Sequence, residues 1–80
     1  MQLVLTNKFK STLKNIHPKD IGRIVKELPI LQNEPLTGKP LKGSLKEYRS
    51  LRIGNYRVIY QIIGNDIVCH KVGPRQSIYD

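Results

Sequence analysis

The chain has one cysteine, Cys69, no tryptophan, a single phenylalanine and only six acidic residues in 80. One thiol cannot close an intrachain disulfide, so nothing in the sequence demands an oxidising compartment, and a cytoplasmic protein is expected. No apolar run approaches the roughly 20 residues of a membrane span. The N-terminal MQLVLTNKFK is too briefly apolar for a signal-peptide core and reads as a first strand. Internal repeats, low-complexity tracts and Gly/Ser linkers are missing, which leaves a single domain over residues 1–80 with one modest core. Glycine patterns of the GxGxxG or GK[ST] type, which cradle nucleotide phosphates, do not occur. Nor is a metal site expected: Cys69 and His70 are strand neighbours pointing to opposite faces, and His17 is distant in sequence. No cofactor is implied.

The shortage of acid accompanies an excess of base. Fourteen Lys and Arg give a formal charge of +8, which favours anionic partners through counterion release and long-range steering. The excess is uneven. Residues 1–38 carry six basic and three acidic side chains, and residues 39–80 carry eight and three. Four of the five arginines, Arg49, Arg52, Arg57 and Arg75, lie in the second half. A guanidinium is permanently charged and presents a planar fork of donors matched to phosphate oxygens, so arginines gathered on adjacent strands point to nucleic acid. The bland alternative is that the lysines solvate the surface and that Arg57 merely pairs with Glu47 or Asp66.

Along the chain, residues 1–5 suit a strand and Thr6 or Asn7 a helix cap. Phe9, Leu13 and Ile16 then share one helical face, with Lys8, Lys10 and Lys14 toward water. Pro18 is acceptable at the first turn of a second helix, whose apolar face is Ile21, Ile24, Val25 and Leu28. Pro29 ends or kinks it. The Pro- and Gly-rich NEPLTGKPLKGSL is read as a loop tacked down by Leu36, Leu41 and Leu45. Gly54-Asn55 and Gly64-Asn65 are two-residue turns that divide the rest into a three-stranded meander. Alternation places Arg52 and Arg57 together on the face away from the core. The expected fold is α+β: a small, mainly antiparallel sheet in the order β-α-α-β-β-β, with a helical hairpin on one face.

The motifs PLKGSL, YRSLRIGNYRVIYQI and KVGPRQSIY, in this order behind a strand and two helices, resemble the RelE/ParE toxin superfamily of type II toxin-antitoxin systems, particularly its RelE-like mRNA interferases. The resemblance implies a ribosome-dependent endoribonuclease that inhibits translation by cutting mRNA in the ribosomal A site. It also implies a cognate RelB-like antitoxin as partner. Arg57 in GNYRVIY and Arg75 in VGPR match the family's active-site arginines. Tyr79 matches a near-terminal tyrosine that packs on the substrate base. Arg52 joins these three as a catalytic candidate. Arg49, with Lys39, Lys42, Lys46 and Lys71, forms the expected RNA- and ribosome-binding set. Where RelE has a functional lysine this chain has Ser50 or Leu51, so the general base stays open among His70, Lys71, Lys46 and Tyr79. On the same scaffold, a ParE-like gyrase-inhibiting toxin and a catalytically inactive basic binding protein are the alternatives.

Overall fold

Thr6 both ends the first strand and starts the first helix. Its hydroxyl accepts from the Phe9 amide at 3.0 Å, capping helix α1 (Asn7–Leu13), and donates to the Cys69 carbonyl at 3.1 Å. Strand β1 (Gln2–Leu5) is thereby tied to β5 (Asp66–Pro74), which it joins in parallel. The computed structural model describes residues 1–76 of the chain. Helix α2 (Pro18–Glu27) opens with proline at its first position, behind His17, whose ring nitrogen accepts from the Lys19 amide.

The chain bends at Leu28 and Pro29 but stays helical in backbone angle, and a short helix α3 (Ile30–Asn33) follows between that kink and the loop expected from Asn33, a stretch to which the sequence reading gave no element. Pro29 lacks the N–H that would continue α2, yet its fixed φ suits the start of another turn. Strand β2 (Lys39–Pro40) and a 3₁₀ turn over Gly43–Leu45 come next, then β3 (Arg49–Ile53) and β4 (Tyr56–Ile63).

The strands form one five-stranded sheet in the order β1-β5-β4-β3-β2. Pairings β2·β3, β3·β4 and β4·β5 are antiparallel. The α+β expectation holds, with a mixed sheet and one more strand than expected. Gly54 and Gly64 have φ of 59° and 60°, and no non-glycine residue among those described has positive φ. Both turns thus take the left-handed conformation at their first central residue only, as in type II′ hairpins.

One face of the sheet meets the helices. Phe9, Ile16, Ile24, Leu28 and Leu31 pack against Leu51, Ile53, Val58, Tyr60, Ile67, Cys69 and Val72. Tyr60 is wholly buried, and its hydroxyl accepts from the Gly38 amide at 2.9 Å and donates to the Pro35 carbonyl at 2.7 Å. A Cβ at Gly38 would collide with that ring, so only glycine fits there. Tyr56 donates to Asp20 at 2.8 Å and ties α2 to the β3–β4 hairpin. Three apolar side chains depart from expectation: Val25 is 56% exposed, and of the loop's leucines Leu36 is 66% and Leu45 37% exposed. Among the described residues no helix is long and apolar enough to cross a membrane.

Candidate functional site

The second face of the sheet carries the charge. Lys39 lies opposite Ser50, Ser50 opposite Ile59, and Ile59 opposite Lys71. In the next row Arg52 lies opposite Arg57, and Arg57 opposite Gly73. Side chains alternate along a strand, so both rows leave the face opposite to Leu51, Val58 and Val72, which are in the core. Gly73 puts no side chain beside Arg57. Arg75 follows at the same end of the sheet, its amide donating to the Asn55 carbonyl at 2.9 Å at the hairpin tip.

Like charges directly opposed across two strands are destabilising. No acid relieves this pair: among the described residues the ion pair found is Arg23 with Glu27, on α2, and Arg57 meets neither Glu47 nor Asp66. Arg52 Nε donates to the Gly54 carbonyl at 3.3 Å, which holds the side chain near the turn.

Arg49 does not belong to it. Its register with Pro40 and Tyr60 puts it on the core side, where its guanidinium donates to the Gly38 carbonyl at 2.8 Å. A residue expected to bind RNA thus holds the β2 approach in place. Lys42 and Lys46 are exposed and flank the 3₁₀ turn at the edge of the cationic face. Tyr79 lies outside the described residues.

A β-bulge at Ile59/Tyr60 sets His70 out of register, between Lys71 and Cys69. The extra residue turns to the cationic side, where Nε2 donates to Gln61 Oε1 at 2.7 Å. The ring also meets Tyr48 edge-on, with centroids 5.3 Å apart. Burial, and then the nearby Lys8 ammonium, lower the His70 pKa. It is therefore neutral at physiological pH and able to accept a proton. Burial pushes the Cys69 thiol up to about 12, which leaves it an inert core group. Among the described residues no three His, Cys, Asp or Glu side chains converge to hold a metal.

Lys8 and Tyr48 had no role in the sequence reading. Lys8 is on the water side of α1 as expected, but the packing of that helix along β5 carries it to His70. No local signal announces a contact between residues so far apart in the chain.

The family model for the ParE toxin of type II toxin-antitoxin systems matches residues 3–79. The chain belongs to the RelE/ParE superfamily of toxins. It is 33% identical to Toxin RelE3 of Methanocaldococcus jannaschii across its full length and 97% of that protein. The RelBE2 toxin-antitoxin complex of Mycobacterium tuberculosis contains a chain that superposes with a TM-score of 0.84 and 29% identity, covering 92% of this chain and 96% of the other. The RelB-RelE complex of Methanococcus jannaschii matches with a TM-score of 0.75 and 29% identity, over 96% and 95% of the two chains. In this toxin the motif arginines Arg57 and Arg75 stand at one end of the second sheet face, with Arg52 opposite Arg57.

Proposed function

We propose that this toxin is a ribosome-dependent endoribonuclease that cleaves mRNA in the A site, in the cytoplasm, without a metal cofactor. The observation that carries this reading is Arg52 opposed to Arg57 with no acid paired to them among the described residues, on a face that also bears Lys39 and Lys71. Attack of a ribose 2′-hydroxyl on the adjacent phosphate requires a proton acceptor, a donor to the leaving 5′-oxygen, and positive charge around a dianionic transition state. Arg57 and Arg75 supply the charge, and Arg52 holds the phosphate. Arginine is too weak an acid to act as the base. Of the candidates for that role, Lys71 shares the second face with Arg57, one alternation along β5 from Gly73. His70 is nearby and neutral, Lys46 is more remote on the 3₁₀ turn, and Tyr79 stays a candidate from the motif alone.

The partner in this reading is a RelB-like antitoxin, because the two toxins named above at 29% identity were solved in antitoxin complexes. A helical or extended segment that brings apolar side chains and acid suits the groove of Lys26, Glu27, Ile30, Thr37, Leu51, Arg52 and Ile53, where two cations outnumber one carboxylate, beside the exposed Val25. Arg52 belongs to this groove as well as to the cationic face, so a bound antitoxin also masks the site.

Primer extension on programmed ribosomes tests the activity. Wild type cuts mRNA only with ribosomes present, and Arg75→Ala slows cleavage about 100-fold or more, with Arg75→Lys recovering part. The matching ParE model favours the second reading, gyrase inhibition. Uncut mRNA together with blocked gyrase supercoiling would establish it.

A further inference from the structure

Beside the arginine pair a pocket of ≈ 250 Å³ opens between Lys8 from α1, Leu45 of the 3₁₀ turn with Tyr48 of the link to β3, and Ile59, His70 and Lys71 from the sheet. Its walls combine two flat rings set edge to face with two aliphatic side chains, and cations stand on either side. Such a lining suits a flat, uncharged, heteroaromatic group attached to an anion. Ile59 and Lys71 lie one alternation, about 7 Å along the strands, from Arg57 and Gly73. That is on the order of one nucleotide step. The bulge at Ile59/Tyr60 shapes the wall here, since it lets the chain neighbours His70 and Lys71 both leave the core side, between the core residues Cys69 and Val72.

We propose that this pocket binds the base of the RNA nucleotide next to the one whose phosphate sits on Arg52 and Arg57. The inference rests on the RNA-directed reading and adds a subsite to it. The base enters between Leu45 and Ile59 and stacks on Tyr48. Lys8 and Lys71 take the flanking phosphates, and the Gln61-oriented imidazole meets the base edge. The pocket would make cleavage sensitive to the identity of a base that takes no part in the bond broken.

The chain has two histidines, so imidazole NMR signals report the pocket directly, and His17→Asn assigns them while keeping a capping side chain. The wild-type toxin is titrated with a 2′-O-methyl RNA hexanucleotide, which cannot undergo attack, and with an abasic phosphodiester of equal length. Both should shift the Arg57 side-chain N–H signals, and only the base-bearing strand should shift His70. Tyr48→Ala should weaken binding of the base-bearing strand roughly 10-fold and leave that of the abasic strand unchanged. Equal His70 shifts from both strands would reduce the pocket to an anion site and overturn the proposal. Arg57 responses with an unmoved His70 would overturn it too, while leaving the RNA-directed reading intact. Silence at both residues would overturn the pocket, and primer extension on programmed ribosomes then decides the RNA-directed reading separately.

Discussion

Arg52 and Arg57 are held against their mutual repulsion by the backbone register of a tight hairpin. Electrostatics alone would have placed an acid in one of the two positions. Tyr60 shows the opposite balance, a buried hydroxyl whose two partners are both backbone groups of the Pro35–Gly38 approach to β2. Tyr60→Phe keeps the ring and orphans both groups, so denaturant unfolding should show a loss of about 1–3 kcal/mol. His70 gives a pH effect of definite sign. Its native pKa is lowered, so the unfolded chain takes up the proton first, near the ordinary 6.5. Stability from this residue is complete above that value and is lost as pH falls through it. Unfolding measured at pH 7.5 and 5.5 should show a smaller acid penalty in His70→Gln than in wild type.

At the level of elements, α1 is stitched to the exposed edge of β5 where β1 runs out. Thr6 bonds the Cys69 carbonyl, and Thr12 Oγ1 accepts from the Val72 amide at 3.1 Å. These bonds satisfy strand groups that would otherwise present an open edge, and they carry Lys8 to the pocket. Thr6→Ala removes a helix cap together with a strand contact, and thermal or urea unfolding should register about 1–2 kcal/mol. The 3₁₀ turn and the link from it to β3 act as the other wall of the same pocket, through Leu45 and Tyr48.

For the whole molecule the charge of +8 sets how binding responds to salt. If Lys39, Arg52, Arg57 and Lys71 each meet one phosphate of a single strand, log K falls with log salt at a slope of about −3. Between 50 and 200 mM salt the affinity for single-stranded RNA should then drop roughly 50-fold, measured by fluorescence anisotropy. Arg57→Ala should flatten the slope by about 0.7, whereas Lys19→Ala, exposed on α2, should leave it unchanged.

The residues alone determined the helix–helix–meander order, both two-residue turns and the pairing of Arg52 with Arg57 on one face, because each follows from periods and turn chemistry spanning a few residues. Helix α3 and strand β2 were hidden, since Pro29 and the Gly/Pro-rich stretch read locally as breakers and only packing against β1 and β3 stabilises them. The parallel seat of β1 and the core-side turn of Arg49 depend on partners distant in sequence. So does the pocket. The motif arginines could be found by their neighbours in the chain, but Lys8, Tyr48 and His70 meet only after a helix has docked on a bulged strand, and no local pattern encodes that contact.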